Sequence, residues 1–268
     1  MNYEDFQFIR VEMTGKVAKV ILNRPDTLNA INWEFHSELE RFWRAVTEDT
    51  DIAAIVLTGA GSSFSAGGDI TRMAKRAGSD EGVKFSLGLP GGARRLLQAM
   101  LDVNQPIIAA VNGDAIGSGA SIALMSDITV ITETARFGDP HVRIGLAAGD
   151  GGAVIWPLLI GPTRAKNFLL RGKLMTGKEA ADMGLLTYAE PNGEATVAKA
   201  MEIAEEISRL PIWAVRYTKV AVNKSIKQQL ANVLETSIAL EALSMHTHDF
   251  KEAVNAFVDK RKPEFKGY

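Results

Sequence analysis

Two glycine-rich stretches decide the fold of this chain: Phe64-Ser65-Ala66-Gly67-Gly68-Asp69-Ile70 and Asn112-Gly113-Asp114-Ala115-Ile116-Gly117-Ser118-Gly119-Ala120-Ser121. Each follows a short β-branched run, 54–58 or 106–111, and leads into a helix-compatible stretch. A strand that feeds a glycine turn and then a helix aims unpaired backbone N–H groups at one point. Two such donors converging on one oxygen would form an oxyanion hole. The residues alone leave ordinary glycine turns as an alternative. No Gly-Lys-Ser/Thr follows either turn, which excludes a phosphate loop.

Composition places the chain among ordinary globular proteins. Its 268 residues, 46% apolar and 23% charged, fit one large domain or two small ones. The net charge of −2 gives no sign of a nucleic-acid or anionic membrane partner. The absence of cysteine excludes disulfides, thiolate metal sites and a cysteine nucleophile. The polar start, residues 1–5, is unlike a secretory signal, and no apolar run approaches the roughly 20 residues of a membrane span. We therefore expect a soluble cytoplasmic protein.

Hydrophobic periodicity predicts an α/β core followed by helices. Strands are expected over 8–12, 17–22, 54–58, 106–111 and 127–132, the first two joined as a hairpin through Thr14-Gly15-Lys16. Helices are expected over 33–43, 94–101 and 119–125, with a short helix beginning at Asp69. The first helix is expected to be capped by Asn32 and to bury its apolar residues at 35, 39, 42, 43 and 46. Residues 79–92 are predicted to form a mobile polar loop. From about residue 163 the pattern is helical throughout, over 163–170, 178–183, 194–210, 214–227, 230–246 and 250–261. Alternating strands and helices indicate right-handed α/β connections.

Further motifs occur in a characteristic order: Leu22-Asn23-Arg24-Pro25, Leu28-Asn29-Ala30, Ala110-Val111-Asn112-Gly113, Ser126-Asp127-Ile128, Phe137-Gly138 and Phe250-Lys251-Glu252-Ala253. Together with the two turns, they make the chain resemble the crotonase (enoyl-CoA hydratase/isomerase) superfamily nearly end to end. The resemblance implies an α/β spiral of ββα units over 1–200. It also implies a C-terminal helical trimerisation region over 201–268, in a homotrimer or a dimer of trimers.

The resemblance also implies the site. The substrate is an acyl-CoA thioester or another small carbonyl compound, with coenzyme A as part of the substrate and no separate cofactor. The backbone N–H groups of Gly68 and Ser118 would bind the enolate oxygen. Substrate contacts are expected from Arg24, Leu28, Ala30, Ala66, Asp69, Ser121, Phe257 and Lys260. Asp69 also stands where it could cap the following helix.

Departures from the family pattern concern the acid/base residues. The two glutamates of hydratases are missing, and their positions hold Ser121 and His141. His141 and Asp150 are nine residues apart, which, with Trp156-Pro157, resembles the 6-oxocamphor hydrolase-like branch. We predict that His141 is the general base and that Asp150 orients or charges it. The alternatives are that Asp150 caps a helix and that His141 is a polar wall residue.

No metal site is expected. The His-x-His pair of His246 and His248 has no third ligand in sight. We interpret it as surface or subunit contact.

Three functions remain open at this level. The first is an enoyl-CoA hydratase/isomerase-family enzyme that acts on a CoA thioester with His141 and Asp150. The second is a CoA-independent β-diketone hydrolase that cleaves a carbon–carbon bond. The third is a non-catalytic CoA-binding homologue, although retention of both glycine turns argues against it. The acyl group is not specified by the sequence.

Overall fold

The computed structural model describes residues 3–268, so Met1 and Asn2 of the polar N-terminal start lie outside it. The strands are β1 (Ile9–Thr14), β2 (Val17–Leu22), β3 (Ala54–Gly59), β4 (Ser63–Ser65), β5 (Ile107–Val111), β6 (Asp114–Ile116), β7 (Ile128–Thr132), β8 (Arg136–Gly138), β9 (Met175–Thr176) and β10 (Tyr188–Glu190). The α-helices are α1 (Trp33–Thr47), α2 (Ile70–Arg76), α3 (Asp80–Asp102), α4 (Ser118–Leu124), α5 (Gly152–Ile160), α6 (Pro162–Leu169), α7 (Gly177–Asp182), α8 (Gly193–Ser208), α9 (Ile212–Ser244) and α10 (His248–Val258). Single 3-10 turns cover Pro25–Thr27 and His141–Ile144.

The strands form two sheets. A six-stranded sheet has the order β1-β2-β3-β5-β7-β10, and a four-stranded sheet has the order β4-β6-β8-β9. β1 and β2 form the predicted antiparallel hairpin, and the following strands of the large sheet pair in parallel. β3, β5 and β7 each enter the large sheet, and β4, β6 and β8 follow them in the small sheet. Each such pair is followed by helical structure, which is a repeating ββα unit and confirms the predicted α/β fold.

Helices cover both faces of the large sheet. α1 buries the five apolar residues that its periodicity singled out: Phe35, Leu39, Phe42, Trp43 and Val46. Its N-terminus is capped as expected, because the Asn32 side chain accepts a hydrogen bond from Phe35 N (2.8 Å). On the opposite face, α8 packs small residues against the even-numbered side chains of β3 and β5. α8 runs across residue 200, where the sequence interpretation placed a boundary.

The prediction of a mobile loop over 79–92 is wrong, because Ser79 is the N-cap of α3 and residues 80–92 form its first half. Glycines and Pro90 lower the helix propensity of this stretch. Tertiary packing outweighs that preference. Ser79 caps the helix by accepting from Gly82 N (3.2 Å), and Gly92 lies where a Cβ atom would stand 3.0 Å from the Trp33 ring. The small residue therefore allows α3 to approach α1 closely.

The C-terminal third also differs in detail. It contains two short strands, β9 and β10, so the expectation of helix throughout is wrong. The predicted helices over 214–227 and 230–246 are one continuous helix, α9. Residues 228–229 are both glutamine, which offers no break in helix propensity. Among residues 3–268, no helix is both long and apolar enough to cross a membrane.

Candidate active site

The first glycine turn, between β4 and α2, is fixed by close backbone packing. Gly67 has a φ of +84°, and a Cβ atom there would stand 2.4 Å from the carbonyl oxygen of Ile116. Glycine alone fits both this left-handed backbone and this approach. The Gly67 carbonyl oxygen accepts a hydrogen bond from Ile31 N (2.7 Å). Within residues 3–268, the Gly68 N–H donates to no other protein group, so it is free for a ligand.

The second turn touches the first. A Cβ atom on Gly119 would stand 2.6 Å from the carbonyl oxygen of Ser65, so a side chain there would separate the two turns. Gly117, at a φ of +54°, precedes α4, and the Ser118 N–H is one of the unpaired donors of a helix start. Gly68 and Ser118 line the same cavity. Two unpaired N–H groups on one cavity wall can stabilise an oxyanion.

We call this cavity, which lies between the two turns, α1, α3 and α9, the inner cavity. Its polar wall consists of Gly68, Ser118, Ser121, His141, Asp150 and Glu241. The facing wall is mostly apolar and includes Ile31, Trp33, Met73, Phe85, Leu89, Ala93, Leu96, Leu97 and Met245. His36 also lines this wall. Burial lowers the pKa of His36 to about 4, so its ring is neutral. The inner cavity therefore joins an apolar wall to a cluster of titratable groups.

His141 lies between two carboxylates. It begins the 3-10 turn after β8 and is buried. Its Nδ1 is hydrogen-bonded to Asp139 Oδ1, and its Nε2 lies 3.7 Å from Asp150 Oδ2. Burial alone would disfavour the imidazolium, but the charges of Asp139 and Asp150 raise the pKa of His141 well above its usual value. The two carboxylates therefore favour the protonated form of His141.

Asp150 does not cap a helix. The residue before α5 is Gly151, and no side chain caps that helix. The Asp150 carboxylate turns into the inner cavity, where Oδ1 lies 3.5 Å from the Ser121 hydroxyl. Burial raises the pKa of Asp150, the Asp139 charge adds to this effect, and the His141 charge opposes it. The capping interpretation is wrong, and Ser121 lies at the carboxylate it could help to orient.

Glu241, from α9, is a site residue that the sequence analysis missed. It is 3% exposed, and its Oε2 has no hydrogen-bond partner within residues 3–268. Burial, reinforced by the Asp150 charge, raises the pKa of Glu241 to about 8. The sequence pattern that could have identified Glu241 is its helical spacing, since it follows the buried Ile238 by three residues on the same face of α9. A carboxylate is rarely buried on such an apolar face. Glu241 thus supplies a second carboxyl group to the cavity.

Two carboxylates on one imidazole also resemble a metal site. Ligand atoms of Asp139, His141 and Asp150 lie within 4.8 Å of one another. The two ring nitrogens face different carboxylates, however, and an ion at Nδ1 would have to replace the Asp139 hydrogen bond. We therefore interpret the three residues as a hydrogen-bonded acid/base cluster.

The loop that carries Arg24, Leu28 and Ala30 packs against the first glycine turn. The Arg24 guanidinium donates to the Ala30 carbonyl oxygen, and Leu28 O accepts from Ala66 N (2.9 Å). Ala30 is half-buried, whereas Leu28 is exposed. None of the three lines the inner cavity. They lie beside the first glycine turn and outside the inner cavity.

Asn29 holds this loop in place, a role that the sequence analysis missed. Its side chain is fully buried. Its Nδ2 donates to the carbonyl oxygens of Ala60 and Ser63 (both 2.9 Å), and its Oδ1 accepts from Arg24 N (2.8 Å). The Asn29 carbonyl oxygen accepts from the Ser65 hydroxyl (2.8 Å). This network ties the loop to β4, the strand that leads into the first glycine turn.

A further cavity approaches the same turns from the other side, and we call it the tail cavity. Ala66 and Gly68 lie on one wall, with Phe257 and Arg261 of the C-terminal segment on the other. Lys260 is exposed and is not part of this lining. Gly68 lines both the inner and the tail cavity. The turn can thus be reached from both sides.

Asp69 and the histidine pair lie farther out. The Asp69 carboxylate accepts from Arg72 N (3.1 Å) and caps α2 as predicted. His246 is exposed, and its Nε2 is hydrogen-bonded to the Ser86 hydroxyl (2.9 Å). His248 is half-buried near the start of α10. All three line a cavity next to the inner one.

These features define a class of protein: a ββα spiral in which two residues with unpaired backbone N–H groups, Gly68 and Ser118, line a cavity with a buried acid/base cluster. Comparison with known proteins identifies the family. The family model described as enoyl-CoA hydratase/isomerase matches residues 12–268. The chain belongs to the enoyl-CoA hydratase/isomerase family, which confirms the resemblance noted from its motifs.

Individual relatives cover nearly the whole chain. A probable enoyl-CoA hydratase of Rhizobium meliloti is 34% identical over 266 residues, 99% of each chain. A short-chain-enoyl-CoA hydratase of Clostridium acetobutylicum is 36% identical over 261 residues, 95% of each chain. The crystal structure of an enoyl-CoA hydratase/isomerase from Mycobacterium paratuberculosis superimposes with a TM-score of 0.87 at 35% identity, covering 94% of this chain and 99% of the other. The fold is therefore that of its solved relatives.

Proposed function

We propose that this enzyme acts on an acyl-CoA thioester, whose carbonyl oxygen is bound by the N–H groups of Gly68 and Ser118. Proton transfer is assigned to His141, Asp150 and Glu241. The observation that carries the proposal is that all five residues line one cavity. An enolate formed from a thioester needs two donors at its oxygen and an acid/base group at the adjacent carbons. The inner cavity offers both.

Protonation states assign the roles. We assign His141 the role of the acid, in place of the general base predicted from the sequence, because its ring lies between two carboxylates that favour the imidazolium. In hydration of an enoyl thioester, the Asp150 carboxylate takes a proton from water while hydroxide adds to the β-carbon. The His141 imidazolium gives its proton to the α-carbon. Asp150 then returns the proton to His141 Nε2, which lies 3.7 Å from its Oδ2, and this step restores the cluster.

Binding of coenzyme A is proposed along the loop of Arg24 to Ala30 and through the tail cavity. Two features support this assignment: that loop packs on the oxyanion turn, and Phe257 and Arg261 line the cavity that ends at Gly68. Calorimetric titration with acetoacetyl-CoA tests it directly. We expect saturable binding, and an absence of binding up to millimolar concentration would contradict it.

The reaction itself is tested by product analysis in heavy-oxygen water. A panel of enoyl-CoA thioesters and cyclic β-diketones is incubated with the enzyme, and the products are examined by mass spectrometry. We expect one labelled oxygen in a hydroxyacyl-CoA. Label in a new carboxylate of a diketone product would establish the carbon–carbon hydrolase instead. Binding of thioesters without turnover of any substrate would establish the non-catalytic homologue.

A further inference from the structure

The inner cavity continues into a second cavity, which we call the outer cavity. The outer cavity lies between α2, the start of α3 and the junction of α9 with α10. The two cavities share Ile31, Trp33, Met73, Phe85 and Met245 on their walls. The inner cavity has a volume of about 90 Å³ and the outer cavity one of about 210 Å³. An acyl group that outgrows the inner cavity therefore has room beyond Trp33 and Phe85.

The character of the walls changes at this passage. Trp33 and Phe85 meet edge to face, with ring centroids 5.9 Å apart. On the inner side, the neutral His36 ring stacks on Trp33 with centroids 5.6 Å apart. On the outer side, the Arg76 guanidinium lies 5.1 Å from the centroid of the Phe85 ring. The acyl chain of a ligand that extends from the apolar wall of the inner cavity past Phe85 would thus meet the Arg76 guanidinium.

Positive charge dominates the outer cavity. Its lining contains three cationic residues, Arg72, Arg76 and Lys251. It contains only one carboxylate, that of Asp69, which caps α2. Each arginine has an ion-pair partner outside the lining: Arg72 pairs with Glu34 (2.6 Å) and Arg76 with Glu81 (2.7 Å).

Lys251, on α10, has no ion-pair partner within the described residues 3–268. A Cβ atom on Gly78 would stand 3.3 Å from Lys251 Nζ, so the missing side chain leaves the ammonium group uncovered. Gly78 has a φ of +76°, which favours glycine at this position. One cation of the outer cavity therefore remains available to a ligand.

From this geometry we infer that the outer cavity binds a carboxylate at the far end of the acyl group, and that Lys251 is its principal partner. The substrate class is then an ω-carboxyacyl thioester, that is, the mono-CoA ester of a dicarboxylic acid. The apolar passage accommodates the methylene chain, and the free ammonium pairs with the terminal carboxylate. This inference rests on the proposed function, because the thioester end must sit at Gly68 and Ser118.

Binding of unreactive ligands tests the inference without requiring turnover. Calorimetry gives the Kd of saturated ω-carboxyacyl-CoA thioesters of increasing chain length, each compared with its terminal methyl ester. We expect one chain length at which the acid binds roughly ten- to hundredfold more tightly than its ester, the usual range for a hydrogen bond to a charged group. Lys251→Met should abolish most of that ratio.

Lys75→Met is the matched control, because Lys75 is exposed on α2 and does not line the cavity. It removes the same charge and should leave the ratio unchanged. Equal affinity of acid and ester at every length, or a ratio that survives Lys251→Met, would overturn the inference while thioester binding itself upholds the proposed function. Failure of every thioester, including butyryl-CoA, to bind would contradict both.

Discussion

At the residue scale, the largest effect on turnover is expected from substitution of His141. Because it is the assigned acid, His141→Ala should lower kcat by about 10² to 10⁴. Affinity for acetoacetyl-CoA should change little, since the side chain acts on the reacting carbons. Asp150→Asn should cost a comparable factor, because it removes a charge that supports the imidazolium. Steady-state kinetics and calorimetry measure the two effects, and full activity in both variants would contradict the mechanism.

Glu241 makes stability depend on pH. Its pKa is about 8 in the folded protein and ordinarily 4.5, so the folded state binds the proton more tightly than the unfolded chain. The stabilisation from protonated Glu241 is complete below pH 4.5 and is lost as the pH rises through about 8. Glu241→Gln cannot lose a proton at this position. From pH 5 to pH 9 its free energy of unfolding should therefore rise relative to that of wild type by on the order of a few kcal/mol.

Urea denaturation of both proteins at pH 5 and pH 9 measures this difference in the free energy of unfolding. Glu235→Gln is the matched control, because Glu235 lies on the same helix with its side chain 72% exposed. Its substitution should not change the pH dependence. Parallel pH profiles of wild type and Glu241→Gln would show that Glu241 is not the group responsible.

The oxyanion turn acts at the scale of a structural element. Gly68→Pro removes one of the two donors and should lower kcat by about 10² to 10³. Gly68→Ala keeps the N–H, and its Cβ atom would meet only Met73 Cε, the end of a flexible side chain, at 2.5 Å. It should therefore retain most activity. Circular dichroism checks that both variants fold, and equal kcat values for the two would contradict the role of the Gly68 N–H.

Helix α3 shows how tertiary packing selects a helix from an unpromising sequence. Gly88 is exposed, with nothing within 4 Å of a Cβ atom, so Gly88→Ala should stabilise the protein by roughly 0.5 to 1 kcal/mol through helix propensity. Gly92→Ala gains the same propensity but meets the Trp33 ring at 3.0 Å, so its gain should be smaller or reversed. Thermal or urea unfolding compares the two, and equal gains would contradict the close packing of α3 on α1.

Assembly is a property of the whole molecule. Large apolar residues of α9 differ in burial: Leu230, Leu234 and Ile238 are buried within the chain, whereas Leu240 and Leu243 are 53% and 66% exposed. Trp213 and Tyr217 at the other end of the helix are also exposed. Apolar surface of this kind favours association. We expect light scattering at micromolar concentration to give a trimer or a hexamer of the 29.0 kDa chain; a monomer would contradict this.

Local chemistry allowed the sequence to determine much of this protein. Period-2 and period-3.6 patterns placed the first hairpin and the buried face of α1, because those patterns depend on neighbours within one element. The glycine turns were recognisable for the same reason, since their φ values and small residues are local requirements. The order of the motifs then identified the family. These inferences needed no knowledge of distant contacts.

Only the tertiary structure decided what depends on residues far apart in the chain. α3 is a helix because Gly92 meets Trp33 across 59 positions, a contact that propensity does not contain. Glu241 joins Asp150 because α9 crosses the inner cavity, and the His141 ring lies between two carboxylates that folding brings together. A pKa depends on burial and on neighbouring charges, both of which arise on folding. The shifts in pKa within the cluster were therefore beyond the reach of sequence patterns.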